Sequence, residues 1–106
     1  MNYTLNNLPE RTQKPRQTGY TMSMDKGMSI RETEDFLSMC SDHVDIVKLG
    51  WATSYVTPNL SEKIKVFQEA KIPCYFGGTL FEAFIIRNQF EDYLRVINAS
   101  NNVPPK

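Results

Sequence analysis

The chain has 106 residues, 41% of them apolar and 23% charged, which fits one domain with a modest core. Twelve basic and twelve acidic residues give a formal net charge of zero, so there is no basic excess for a phosphate backbone and no nucleic-acid partner is expected. No apolar run approaches the roughly 18–20 residues of a membrane span, and MNYTLNNLPE lacks the basic and apolar regions of a signal peptide, so no membrane partner and a cytoplasmic location are expected.

Residues 1–17 read as a basic leader, with Arg11, Lys14 and Arg16 set against Glu10. Such an arm is either solvated or in contact with an anion. Gly19–Met24 is the first expected strand, ending at Asp25-Lys26-Gly27. Ser29 and Glu32 are spaced as a capping box, in which the hydroxyl accepts from a free helix N–H and the carboxylate reaches back. Thr33, Phe36, Leu37, Cys40 and Val44 then follow at helical spacing, and the helix is expected to end near Asp42-His43. His43 reads as a surface residue, and Cys40 and Cys74 as small buried hydrophobes.

Val44–Leu49 reads as the second strand, broken at Gly50. A loop from Trp51 to Pro58 leads to a helix capped by Asn59 and Glu62, with Leu60, Ile64, Phe67 and Ala70 as its apolar stripe. Ile72–Phe76 is the third strand, and Thr79 with Glu82 is spaced as another capping box. Asn88-Gln89 interrupts the helix that follows, and Phe90–Ile97 resumes it. The alternation over 18–97 predicts three βα units with parallel strands. A closed (β/α)8 barrel takes about 250 residues, so the expected fold class is α/β, a partial TIM-like barrel with exposed sheet edges through which copies could associate as a homo-oligomer. Residues 98–106 read as a disordered polar tail; Asn98-Ala99-Ser100 matches a glycosylation sequon, a triplet that is common by chance.

Chemistry concentrates where strands end. In Gly77-Gly78-Thr79 the glycines let a ligand approach the backbone, and the helix behind them offers free N–H groups to an anion; an ordinary strand-to-helix turn uses the same residues. Lys48 follows the apolar pair Ile46-Val47. In a partly dry site it would suit proton transfer or charge stabilisation, and otherwise it is a snorkelling lysine at a strand end. Asp25 and Lys26 together can hold a metal or an anion, or solvate a turn. Trp51 either roofs a pocket or packs a loop, and Glu82 already has a structural task in its capping box.

In order, Lys14-Pro15-Arg16, Asp25-Lys26-Gly27, Val47-Lys48-Leu49-Gly50-Trp51 with Thr53-Ser54, and Tyr75-Phe76-Gly77-Gly78-Thr79-Leu80-Phe81-Glu82 make the chain resemble the phosphosulfolactate synthase family. These enzymes begin one route to coenzyme M, and the family also includes stress-associated homologues. The resemblance implies a TIM-like barrel that adds sulfite to phosphoenolpyruvate with Mg2+. It makes Lys48 the candidate acid or charge stabiliser. Arg16, Lys26, Gly77, Gly78 and Thr79 become candidates for holding anionic groups, and Asp25 a weak candidate for the metal. The family continues with further strands that carry carboxylates and basic residues. A truncated chain with little or no synthase activity of its own is therefore expected. The alternatives are a non-catalytic member acting in stress tolerance or as an interaction module, and a generic phosphate-binding α/β fragment.

Overall fold

A computed structural model of the chain describes residues 2–100. Strands β1 (Met22–Asp25), β2 (Ile46–Leu49) and β3 (Cys74–Phe76) form one parallel sheet in the order β1-β2-β3. Helices α1 (Ile30–Cys40), α2 (Leu60–Glu69) and α3 (Gly78–Ile85) follow the strands in turn, and α4 (Phe90–Ala99) follows α3. This is the α/β architecture expected of part of a (β/α)8 barrel.

Each strand starts later than the residue pattern suggested, for a local reason. Gly19 takes a left-handed φ of 69°, which no strand accommodates. Val44 donates its N–H to the Cys40 carbonyl and so belongs to the end of α1. Ile72 donates to the Phe67 carbonyl and Lys71 to the Gln68 carbonyl, with Lys71 at a φ of 59°. That is a Schellman cap on α2, with lysine in the left-handed position that glycine usually fills. Asn88 does the same for α3 at a φ of 56°, with Gln89 donating to Phe84 and Asn88 to Ile85. The expected break at Asn88-Gln89 is therefore a helix stop.

At α1 the capping box forms as expected: Ser29 Oγ accepts from the Glu32 N–H, and the Glu32 carboxylate accepts from the Ser29 N–H. The other two expected caps do not form. Asn59 precedes α2 in a left-handed conformation and makes no side-chain cap. Gly77 is the N-cap of α3, so Thr79 lies inside the helix and caps nothing. The boundary expected at 98 also moves, because Asn98 and Ala99 complete α4; residues 101–106 of the expected tail lie outside the described residues.

The period of two along the strands separates the sheet faces. Val47, Leu49, Cys74 and Phe76 point into a core completed by Leu37 from α1, Ile64 and Phe67 from α2, Leu80 from α3, and Tyr93 and Ile97 from α4. Met22, Met24, Ile46, Lys48 and Tyr75 alternate onto the other face, where none is fully buried. In a barrel this second face is the lumen, and its upper edge is the rim where the strands end.

Candidate functional site at the C-terminal rim

Lys48 is the central residue of the inner face, paired in register with Met24 on β1 and Tyr75 on β3. Its side chain runs up the face toward the turn after β3. A Cβ at Gly77 would lie 2.9 Å from Lys48 Cε and 3.4 Å from the Leu49 carbonyl oxygen. Glycine at 77 is thus what allows the lysine stem to lie across the turn. Gly50 plays the same part for β1, since a Cβ there would sit 2.7 Å from both Cγ and Sδ of Met24. The fold therefore joins two features separated in sequence, the lysine and the glycine turn, into one place.

The turn itself is open. A Cβ at Gly78 would meet nothing within 4 Å, and no side chain caps α3, whereas Ser29 caps α1. The first-turn N–H groups and the positive end of the α3 dipole face this open space, an arrangement that suits a small anion. Thr79 is exposed in the same first turn.

Lys26 reaches the rim from the loop after β1, with Nζ 4.9 Å from the centre of the Trp51 ring. A cation–π contact of this exposed kind contributes about 0.5–1 kcal/mol. Trp51 and Ala52 both hold left-handed φ values, 56° and 58°. Each costs on the order of 1–2 kcal/mol for a residue with a side chain, so the loop is held in a conformation that its own sequence disfavours. The groove beside it, about 500 Å³, is lined by Ala52, Tyr55, Leu80, Ala83, Phe84, Arg87 and Gln89. It is mainly apolar and does not include Lys48, Lys26 or Gly77.

Two candidates are placed elsewhere. Arg16 donates from Nη1 to Asp45 Oδ1 at 2.8 Å and from Nη2 to the Asp42 carbonyl at 3.4 Å. Asp45 precedes β2, so Arg16 lies at the opposite end of the strands, a strand length away and roughly 15 Å by strand rise. The leader is a strap across that lower end: Lys14 also donates to the Ser41 carbonyl, and Thr21 N–H donates to Asp45 Oδ2. The Thr21 N–H foremost holds the Asp45 carboxyl below its ordinary range; burial opposes it, and the Arg16 guanidinium and the Lys14 charge add to the lowering.

Asp25 reaches the rim region on the wrong face for a ligand. Alternation turns it toward the helices, where it is 2% exposed. Its Oδ1 accepts from the N–H groups of Gly27 and Met28, each at 2.8 Å. Its Oδ2 lies 2.7 Å from Lys63 Nζ, an ion pair whose angle departs from that of a directed hydrogen bond. Among the described residues no group of three or more His, Cys, Asp or Glu side chains is placed to hold a metal, so these residues do not by themselves fit a Mg2+ site.

Lys63 has no role in the sequence reading, and Tyr75 enters it by name only as the start of the Tyr75–Glu82 run. Lys63 is three residues after Leu60 and four before Phe67, on the buried stripe of α2, and a lysine there needs a buried carboxylate. That signal was present in the spacing. Tyr75 places its hydroxyl 2.7 Å from Met22 Sδ across the inner face. Cys74 is buried as expected, and burial above all, with the Asp25 charge adding to it and Lys63 opposing, pushes its thiol up to about 12.

Residues 9–101 match the family model of (2R)-phospho-3-sulfolactate synthase, ComA. The chain belongs to the phosphosulfolactate synthase family. It is 41% identical over 88 residues to the phosphosulfolactate synthase of Bacillus subtilis, covering 83% of this chain and 35% of that protein. It is 36% identical over 89 residues to the phosphosulfolactate synthase of Methanothermobacter thermautotrophicus, covering 82% of the chain and 34% of the relative. It is 40% identical over 80 residues to that of Methanocaldococcus jannaschii, covering 74% and 32%. The chain thus spans about a third of the length of the phosphosulfolactate synthases it matches. The family fold is a TIM barrel, in keeping with the three parallel βα units. No helix among the described residues is long and apolar enough to cross a membrane.

Proposed function

We propose that these residues form the first part of the active site of a phosphosulfolactate synthase, which adds sulfite to phosphoenolpyruvate to give phosphosulfolactate. The observation that carries this reading is the Lys48 stem lying across Gly77, beside an uncapped helix start. In the reaction the sulfite sulfur forms a C–S bond to the methylene carbon of phosphoenolpyruvate. The C=C electron pair moves to the adjacent carbon, where the carboxylate delocalises it, and a proton delivered to that carbon completes the product. Lys48, as an ammonium, supplies that proton or balances the developing charge. Lys26 and the Gly77-Gly78-Thr79 turn hold anionic substrate groups. Arg16, tied to Asp45 at the far end of the strands, is withdrawn from that set.

Mg2+ belongs to this reading as a cofactor of the whole barrel, where it would stabilise the enolate charge; no step assigned to these residues passes through it. A barrel site draws on the ends of many strands, so the 106-residue chain alone is expected to turn over little or no substrate. A second reading, a non-catalytic interaction module, is favoured by the outer edges of β1 and β3, which pair with no other strand among the described residues.

Trp51 is the single tryptophan and stands at the rim, so its fluorescence reports on a titration with phosphoenolpyruvate. Saturable binding that Lys48→Ala weakens at least about tenfold, with circular dichroism unchanged, is expected; tenfold corresponds to about 1.4 kcal/mol. A folded chain that gives no response to phosphoenolpyruvate would overturn the proposed site.

A further inference from the structure

We propose that Asp25 and Lys63 are a positioning pair that sets the Lys26 loop against Trp51, so that a residue on α2 decides where the rim cation stands. The functional meaning of this pair rests on the rim reading above. Both side chains are almost fully buried, with 0% of the Asp25 and 2% of the Lys63 side chain exposed. Burying two charges is expensive, and an apolar pair of similar volume is commonly as stable or more so. Stability alone therefore does not account for an ion pair at this place.

Its connections do. Lys63 reaches from α2 to Asp25 Oδ2. The other carboxylate oxygen of Asp25 gathers the N–H groups of Gly27 and Met28, which folds the chain back immediately after Lys26. The Asp25 carbonyl accepts the Gly50 N–H, fixing the end of β1 to the end of β2 one residue before Trp51. Trp51 itself stands on the loop that leads into α2. Lys63 and Asp25 thus connect the two loops that bring Lys26 Nζ and the Trp51 ring to 4.9 Å. With Lys63 holding the carboxylate in one orientation, the loop has one arrangement; without it, the Gly27 and Met28 N–H groups lose a fixed acceptor and Lys26 is released.

The test uses the whole chain and two double variants. Asp25→Ala/Lys63→Met removes both charges together, leaving no orphan ion, and removes the loop acceptor. Its Trp51 should become as accessible to acrylamide as in Lys26→Met, without ligand. Its phosphoenolpyruvate affinity should fall about tenfold, with no further loss when Lys26→Met is added. Asp25→Asn/Lys63→Gln keeps a side-chain acceptor and a neutral hydrogen-bonded pair, and should retain the wild-type quenching. The quenching data decide the positioning role even where phosphoenolpyruvate gives no response, an outcome that would sink the rim reading alone. Wild-type Trp51 accessibility in folded Asp25→Ala/Lys63→Met, additive losses with Lys26→Met, or a released Trp51 in Asp25→Asn/Lys63→Gln would each overturn the proposal. Should the first variant not fold, the second still decides between retained and released Trp51.

Discussion

Gly77 and Gly78 are neighbours with different physical reasons to be glycine. At Gly77 the constraint is close approach, because a methyl group would meet Lys48 Cε at 2.9 Å. Lys48 Cε is the far end of a flexible side chain, so Gly77→Ala should leave the fold intact and push the lysine aside. At Gly78 the space is open and the residue is helical. Gly78→Ala should therefore raise stability, by about 0.4–1 kcal/mol from the lower entropy of the unfolded chain. The same methyl group stands where an anion would meet the backbone, so phosphoenolpyruvate binding should weaken while the melting temperature rises. A Gly78→Ala chain that binds as well as the parent would place the anion elsewhere. Sequence reading placed both glycines and Lys48 at strand ends, but spacing along the chain does not show that a lysine stem lies over a turn nearly thirty residues later.

Among the elements, α2 carries the clearest local conflict. Its Schellman cap places Lys71 at a φ of 59°, and the motif buries Ile72 against Phe67, which are 1% and 0% exposed. Lys71→Gly should relieve the left-handed strain and raise unfolding stability by about 1 kcal/mol, as read by chemical denaturation. Phe67→Ala in the same helix should lower it by about 3–5 kcal/mol. The leader strap makes a prediction in pH. The folded-state carboxyl of Asp45 is depressed, so its contribution is present above the ordinary carboxylate value of about 4 and is lost as pH falls through the lower folded value. Below that range the strap should detach, read as earlier proteolysis of residues 10–20 in acid, and Asp45→Asn should abolish this pH dependence. Helix and strand order were legible because apolar spacing of three and four against two is a local signal. Helix ends were less so: the Ser29–Glu32 box formed, but the same pattern at Thr79–Glu82 did not, because the turn after β3 starts α3 two residues early.

At the scale of the molecule, three parallel strands leave a sheet with β1 and β3 at its edges, and Phe81, Ile85, Phe90 and Leu94 remain partly exposed on α3 and α4. Unpaired parallel edges favour association. Sedimentation of the chain should show concentration-dependent self-association, and a compact monomer at every concentration would count against edge pairing. The sequence by itself determined the fold class and the family, because strand-helix alternation and the residues around Lys48 and Gly77-Gly78-Thr79 are local patterns. It also brought the right residue types to the strand ends. Only the tertiary structure decided which of them share a face. A period of two turns Lys48 inward and Asp25 toward the helices, and the Asp45 contact carries Arg16 to the far end of the sheet. The partner of Asp25 is supplied by Lys63, on a helix more than thirty residues away, because a buried carboxylate takes whichever cation packing brings within reach.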